Sequence, residues 1–460
     1  MPIFEEKMRI VIAGAGEVGT HLAKLLSREA NDIVIIDADE ERIRKISSTV
    51  DVNAIKGEPS SLAVLKQAGV DKADLFIAVY PYIAQDLNVL YSLLAKKLGA
   101  KKVIARINEE DYLSGENKLM FKEMGIELMF YPSKIAADEI LDQLKHTAST
   151  ETMDFVHGKL QIAVFKLSED SPILDMTLME FVRGLQGDEA KEFRVIAISR
   201  NGETLVPGPD TKFLYNDLVF TIATREGIDT IVKYFGKTNI EIRNVMILGG
   251  SSAGEMLARS LGRHNVKVKL IDKSKERCME LTEKLPESVQ IICGDGRNTD
   301  FLIDEGIRDY DAFVALTGND EANVLASVVA KKFGVPRTVA EVENFEYIRL
   351  AEDMGVDTVI NRKLLTSGRI FKYTLSGKAR FVRHMSGTSA EVLEYTVAPG
   401  SAITKGAIKD IHFPANAIIG GVVRGSDAMI AVGDTVIEPY DRVAVFAMPE
   451  SIKEIDKLFK

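Results

Sequence analysis

The chain has 460 residues, which at roughly 150 per domain allows two to four domains. It is 46% hydrophobic and 27% charged, the make-up of an ordinary globular protein and not of a disordered one. With 58 Lys and Arg against 68 Asp and Glu, the net charge is −10, which disfavours a nucleic-acid binder.

Residues 1–7 read as a short extension, without the apolar core of a secretory signal. A strand is expected over 9–13 (RIVIA), then the glycine-rich turn GAGEVG at 14–19 and a helix. Further strands are expected at 33–36, 52–55, 75–79, 103–107 and 127–130. The pieces between them, such as 87–98, carry apolar residues at helical spacing. Strands alternating with helices predict a parallel sheet covered on both faces. Pro132 suits the first turn of a helix running to about His146. Residues 155–167, 193–199 and 217–223 then read as strands of a small α+β lobe, with Asn201-Gly202 as a hairpin turn and a closing helix at 226–235. The plan starts again at Arg243 and closes with a helix at 449–459. No apolar run reaches the roughly 18 residues a membrane helix requires.

This restart is a duplication. Gly14, Gly19, Asp37 and Asn88 recur as Gly249, Gly254, Asp272 and Asn323, each 235 residues on. The block from Gly208 resembles the one from Val432 at an offset of 224. So long a period excludes a solenoid of short repeats. The fold class expected is α/β: a duplicated Rossmann-like, doubly wound parallel sheet, each copy followed by a small α+β C-terminal lobe. Four domains follow, at 8–148, 153–237, 243–376 and 377–460.

The chemistry lies in the two turns. Gly14-Ala15-Gly16-Glu17-Val18-Gly19 is GxGxxG between a strand and a helix, where glycines let a pyrophosphate approach the backbone and the helix N-terminus. Asp37 ends the second strand, placed to accept ribose hydroxyls and to repel a 2′-phosphate. The second copy, Gly249-Gly250-Ser251-Ser252-Ala253-Gly254 with Asp272, has Ser251 where the first has Gly16, and its Cβ is expected to crowd a pyrophosphate. No His/Arg/Asp cluster accompanies either turn, and the six His are single, so nucleotide binding without catalysis is expected. The two cysteines, Cys278 and Cys293, form no CxxC and read as core thiols in a reducing cytoplasm. No His or Cys spacing fits a metal site.

These residues resemble the TrkA family of peripheral subunits of Trk potassium uptake systems, which carry two tandem RCK units. The resemblance covers the chain after residue 7. It rests on GAGEVG with Asp37, GVDKAD from Gly69, AKKLGAKKVIARI with Arg106, GDGRNTD with TGNDEAN, and the segment from Pro399 to Gly425. It implies NAD(H) or ATP/ADP as regulatory ligands in the Rossmann lobes. In the first lobe it implies a site of Gly14 to Gly19 and Asp37, with Val79 and Tyr80 at the end of the fourth strand and Arg106 as a basic residue closing the pocket. In the second it implies Gly249, Gly250, Ser251, Ser252, Ala253, Asp272, Asp295, Thr317, Gly318 and Glu341. Tyr80-Pro81-Tyr82 departs from the small polar residues usual in the family, and Glu341 stands where the first half has Arg106. Two unequal sites are expected, the first dominant.

The resemblance further implies a non-enzymatic regulator, cytoplasmic and peripheral on the inner face of the plasma membrane. It would assemble as a dimer or tetrameric ring and gate a Trk-type potassium channel subunit. The alternatives are an NAD-dependent oxidoreductase with a duplicated cofactor domain, and a nucleotide sensor of a transporter for another solute.

Overall fold

The computed structural model describes every residue except 1–7, 28–30, 81–84, 146–148, 150, 157, 237–239, 376–379, 385–387, 389 and 460. The extension at 1–7 and the end of the helix at His146 therefore lie outside the described residues.

The first α/β lobe holds β1 (Arg9–Ala13), β2 (Asp32–Asp37), β3 (Asn53–Lys56), β4 (Leu75–Ala78), β5 (Lys102–Arg106) and β6 (Leu128–Phe130). All neighbours pair in parallel, in the order β3-β2-β1-β4-β5-β6. Helices cover both faces, so the central strands are continuous apolar runs: residues 10–13 and 75–78 are buried throughout. The order reverses between β1 and β4. Ligands of such sheets bind outside the carboxyl ends of the strands at that point.

The first small lobe is antiparallel. Its strands are β7 (Glu151–Phe155), β8 (Leu160–Lys166), β9 (Phe193–Arg200), β10 (Glu203–Leu205) and β11 (Leu218–Ala223), in the order β10-β9-β11-β8-β7. The stretch 155–167 is thus no single strand. The chain reverses between β7 and β8, with Val156 at φ 46° and Gly158 at φ 79°. Asn201 and Gly202 both have positive φ, as a two-residue hairpin turn requires. A helix at Leu178–Gly184 was not expected, although its Thr177–Glu180 capping box is visible in the sequence.

The second half repeats both sheets. Its α/β lobe holds β12 (Asn244–Leu248), β13 (Lys267–Asp272), β14 (Val289–Cys293), β15 (Ala312–Ala315), β16 (Arg337–Glu341) and β17 (Thr358–Ile360), in the order β14-β13-β12-β15-β16-β17. Its small lobe holds β18 (Arg380–His384), β19 (Glu391–Thr396), β20 (Ala417–Arg424), β21 (Asp427–Ile430) and β22 (Arg442–Ala447), in the order β18-β19-β22-β20-β21.

The lobes associate by kind: the two α/β lobes form one compact unit and the two small lobes another. In the α/β unit His21 of the first lobe stacks on Phe345 of the second, ring centroids 5.8 Å apart. Met256, 235 residues after His21, packs against the first lobe's core cluster of Ala105, Ile107, Phe121, Ile126 and Met129. Arg259 donates to Glu110 at 2.9 Å. In the other unit Phe220 meets Phe446 at 6.0 Å within one shared core. A Cβ on Gly421 would lie 2.7 Å from Leu160, so the glycine lets the two sheets close on each other.

Candidate nucleotide sites

In each α/β lobe the first strand runs through a glycine turn into a helix, Glu17–Ser27 or Ser252–Arg263. Gly14 and Gly249 sit at φ 115° and 110°, where L side chains are strained. One turn into each helix, a Cβ on Gly19 or Gly254 would overlap the carbonyl oxygen of Gly14 or Gly249. Packing of helix on turn therefore demands these glycines, whatever the turn binds. Gly16 differs: a Cβ there would meet nothing within 4 Å. No protein atom accounts for the missing side chain, which leaves the approach to the turn open.

Asp37 and Asp272 stand at the ends of β2 and β13 as expected, and both already hold the turns. Asp37 accepts from the Ala15 N–H at 2.7 Å and the Asp39 N–H at 2.9 Å. Asp272 accepts from the Gly250 and Ser274 N–H groups at 2.7 and 2.8 Å. Asp37 is 1% exposed, whereas Asp272 is only half-buried. Arg42, 3.7 Å from Asp37, and Arg277, which donates to the Gly250 carbonyl at 2.7 Å, flank the turns. Sequence reasoning missed both, although they share the 235-residue offset.

Ser251 has a role in the helix itself. It is the N-cap of its helix, and its hydroxyl accepts from the Gly254 N–H at 3.3 Å. It serves the helix end and leaves the Ser252 and Ala253 N–H groups without intrahelical partners. Val18 and Ala253 are buried and belong to the packing of each helix.

The fourth strands end differently. Val79 is buried beside Gly14. The Tyr80 hydroxyl accepts from the Ala38 N–H at 3.0 Å, and its ring meets Tyr91 edge-on at 5.5 Å. Burial drives the Tyr80 phenol well above its ordinary pKa. Pro81 and Tyr82 lie outside the described residues. In the second lobe Thr317 bonds to Asn323 at 2.6 Å, and Gly318 is exposed beside it. Asp295, which follows β14, pairs with Arg297 at 2.6 Å, and that contact holds its carboxyl down to about 2. A cavity of about 250 Å³ opens here, lined by Gly296, Arg297, Leu302, Asn319, Ala322 and Ala326 among others.

Arg106 and Glu341 end β5 and β16. The Arg106 Nε is buried without a hydrogen-bond partner. Burial and the Arg362 guanidinium lower its pKa, with Glu343 opposing. Glu341, which stands where the first lobe has Arg106, is 2% exposed and ion-paired with Arg362 of its own lobe. Lys363, the next residue, pairs with Glu343 and with Glu17 at the first turn. The first glycine turn is thus tied to the second lobe.

Burial raises the Glu341 carboxyl to about 7, against the pull of Arg362. Between pH 4.5 and 7 the folded chain holds a proton that the unfolded chain has released, so stability should fall as pH rises through that window. At 1.36 kcal/mol per pKa unit, the loss is about 3 kcal/mol. Urea titrations at pH 5 and pH 8 should show it for the parent chain, with much less for Glu341→Gln. An unchanged pH dependence in the variant refutes this assignment.

The remaining candidates are scattered. Cys278 is buried, its thiol donating to the Asp272 carbonyl at 3.4 Å, and burial with the adjacent Cys293 thiol pushes it up to about 11. Cys293 is exposed and no core thiol, because β14 is an edge strand. His264 lies 2.8 Å from the Ser260 carbonyl, His412 is exposed, and His157 lies outside the described residues. Among the described residues no helix is long and apolar enough to cross a membrane.

The chain matches the TrkA-N domain at residues 10–132 and 245–362, and the TrkA-C domain at 162–236 and 392–460. It is 35% identical to a Trk system potassium uptake protein TrkA homolog of Archaeoglobus fulgidus, covering 98% of this chain and 100% of that one. It is 31% identical to the Trk system potassium uptake protein TrkA of Halomonas elongata, covering 98% and 99%. Among solved structures, the GsuK RCK domain superposes with a TM-score of 0.59 at 16% identity, over 99% of this chain and 96% of that one. The GsuK channel bound to NAD gives 0.59 at 17%, over 99% and 79%. At such identities these structures show the fold alone.

Proposed function

The chain belongs to the TrkA family of Trk potassium uptake proteins, and on that premise we propose that it is a regulatory subunit of a membrane potassium uptake channel. It binds NAD(H) or ATP/ADP, works as a homo-oligomer on the cytoplasmic side of the membrane, and changes channel conductance when nucleotide binds. The observation that carries this reading is the coupling of a phosphate turn to a neighbouring lobe: Glu17, first residue of the turn's helix, is ion-paired with Lys363. A ligand in either α/β lobe therefore bears on a contact that the two lobes share. A tenfold preference for one arrangement is worth about 1.4 kcal/mol per site, and several sites in an assembly add such terms.

The test has two parts. The chain should co-purify with a Trk-type membrane subunit, and potassium flux through the reconstituted pair should change with NAD, NADH, ATP or ADP. Flux indifferent to all four overturns the proposal. Turnover of NADH with a carbonyl substrate would favour the oxidoreductase reading. NADP should bind at least tenfold more weakly than NAD, because a 2′-phosphate would meet the carboxylate of Asp37 or Asp272. Calorimetry giving equal affinities refutes that expectation.

A further inference from the structure

We propose that the adenine nucleotide is taken by the second α/β lobe, in the cavity beside Gly296 and Asn319, and that in the first lobe Tyr80 and Tyr91 fill the corresponding nucleobase slot. The proposal rests on the nucleotide-binding reading above and assigns the sites in the reverse of the order expected from the turns alone.

The two lobes can be aligned through one hydrogen-bonded pair. Asn88 accepts from the Tyr80 N–H at 2.8 Å and donates to the Tyr80 carbonyl at 3.2 Å. Asn323 makes the same two bonds to Thr317, at 2.9 and 3.0 Å. Tyr80 therefore corresponds to Thr317. Three residues further along each helix, Tyr91 corresponds to Ala326. Two aromatic rings in the first lobe are replaced in the second by a hydroxyl turned to its own helix and a methyl group.

The consequence is visible in the packing. Tyr80 and Tyr91 belong to the first lobe's core, beside Ile55 and Leu65. Ala326 and Leu302 also belong to their own lobe's core, but both line the cavity as well. Two of its lining residues, Gly296 and Asn319, lie in the loops leaving the carboxyl ends of β14 and β15, where a doubly wound sheet takes its ligand. A lining that mixes Leu302, Ala322, Ala326 and Val329 with a few polar groups suits a flat base. Tyr80 also reaches the Ala38 N–H, next to Asp37, and Asp37 is almost fully enclosed where Asp272 is not. A nucleoside entering the first lobe would have to break that bond and displace both rings.

Titration calorimetry of the full chain with ADP, the moiety common to the candidate ligands, tests this. The parent chain should bind one ADP per chain. Ala326→Tyr, which rebuilds the ring in the second lobe, should weaken binding at least a hundredfold while leaving the melting temperature unchanged. The double variant Tyr80→Thr/Tyr91→Ala should gain a second ADP per chain. That variant hollows a core, so the parent stoichiometry and Ala326→Tyr decide the question without it. Two ADP per parent chain, or unaltered binding by Ala326→Tyr, overturns the proposal and leaves the nucleotide reading standing. A parent chain that binds neither ADP nor NAD overturns both.

Discussion

Gly19→Ala is expected to cost the first α/β lobe more than about 3 kcal/mol, at or beyond the upper end of ordinary overpacking. Its Cβ would overlap the Gly14 carbonyl oxygen, a backbone atom held in place because the Gly14 N–H donates to Ile36 at 2.8 Å. No side chain can swing aside to relieve the clash, so helix and turn must separate. Hydrogen exchange at β1, alongside a urea titration, would localise the loss to the first lobe. Gly254→Ala should do the same to the second lobe, where the Cβ would overlap the Gly249 carbonyl. Gly16→Ala is the control: its Cβ meets no protein atom, and stability should change by less than about 0.5 kcal/mol, as for a surface substitution. An unshifted midpoint for Gly19→Ala refutes this account of the turn.

Asp441→Ala is expected to destabilise the small-lobe unit by about 3 kcal/mol, the low end for breaking a buried ion pair. Asp441 is 1% exposed. It accepts from the Arg424 Nε at 3.0 Å, the Arg424 Nη2 at 2.8 Å and the Glu438 N–H at 2.8 Å. Removal leaves the Glu438 N–H and the Arg424 Nε without their acceptor, but Arg424 keeps the Glu438 carboxylate, the Val436 carbonyl and some access to water, which keeps the cost from rising further. Asp217 holds Arg200 and the Leu214 N–H in the same way, 224 residues earlier, so Asp217→Ala should match it. Denaturant midpoints that stay within error of the parent for both variants would exclude a structural role for the pair.

Gly14, Gly19 and Asp37 were legible in the sequence because a strand–turn–helix junction is local, and the steric demands that select its glycines act within a few residues. Alternation of apolar runs with helical spacing likewise announced both parallel sheets. The reversal between β7 and β8 was hidden, because apolar residues stand on both sides of it and its turn is made partly by a valine at positive φ. Tyr80 was visible as a departure from the family pattern, but not what its ring does, since that depends on Ala38 and Tyr91 approaching from other elements.

What the sequence determined by itself is therefore the duplication, the class of each lobe and the two glycine turns with their aspartates, all encoded in sequence spacing. Only the tertiary structure decided that like lobes pair with like, that Arg362 meets the charge of Glu341, and that Lys363 reaches Glu17. It alone decided that Tyr80 and Tyr91 pack on each other in the first lobe, while Ala326 lines a cavity in the second. These are contacts between residues distant in the chain, and a buried group's charge or a cavity's volume is set by everything packed around it.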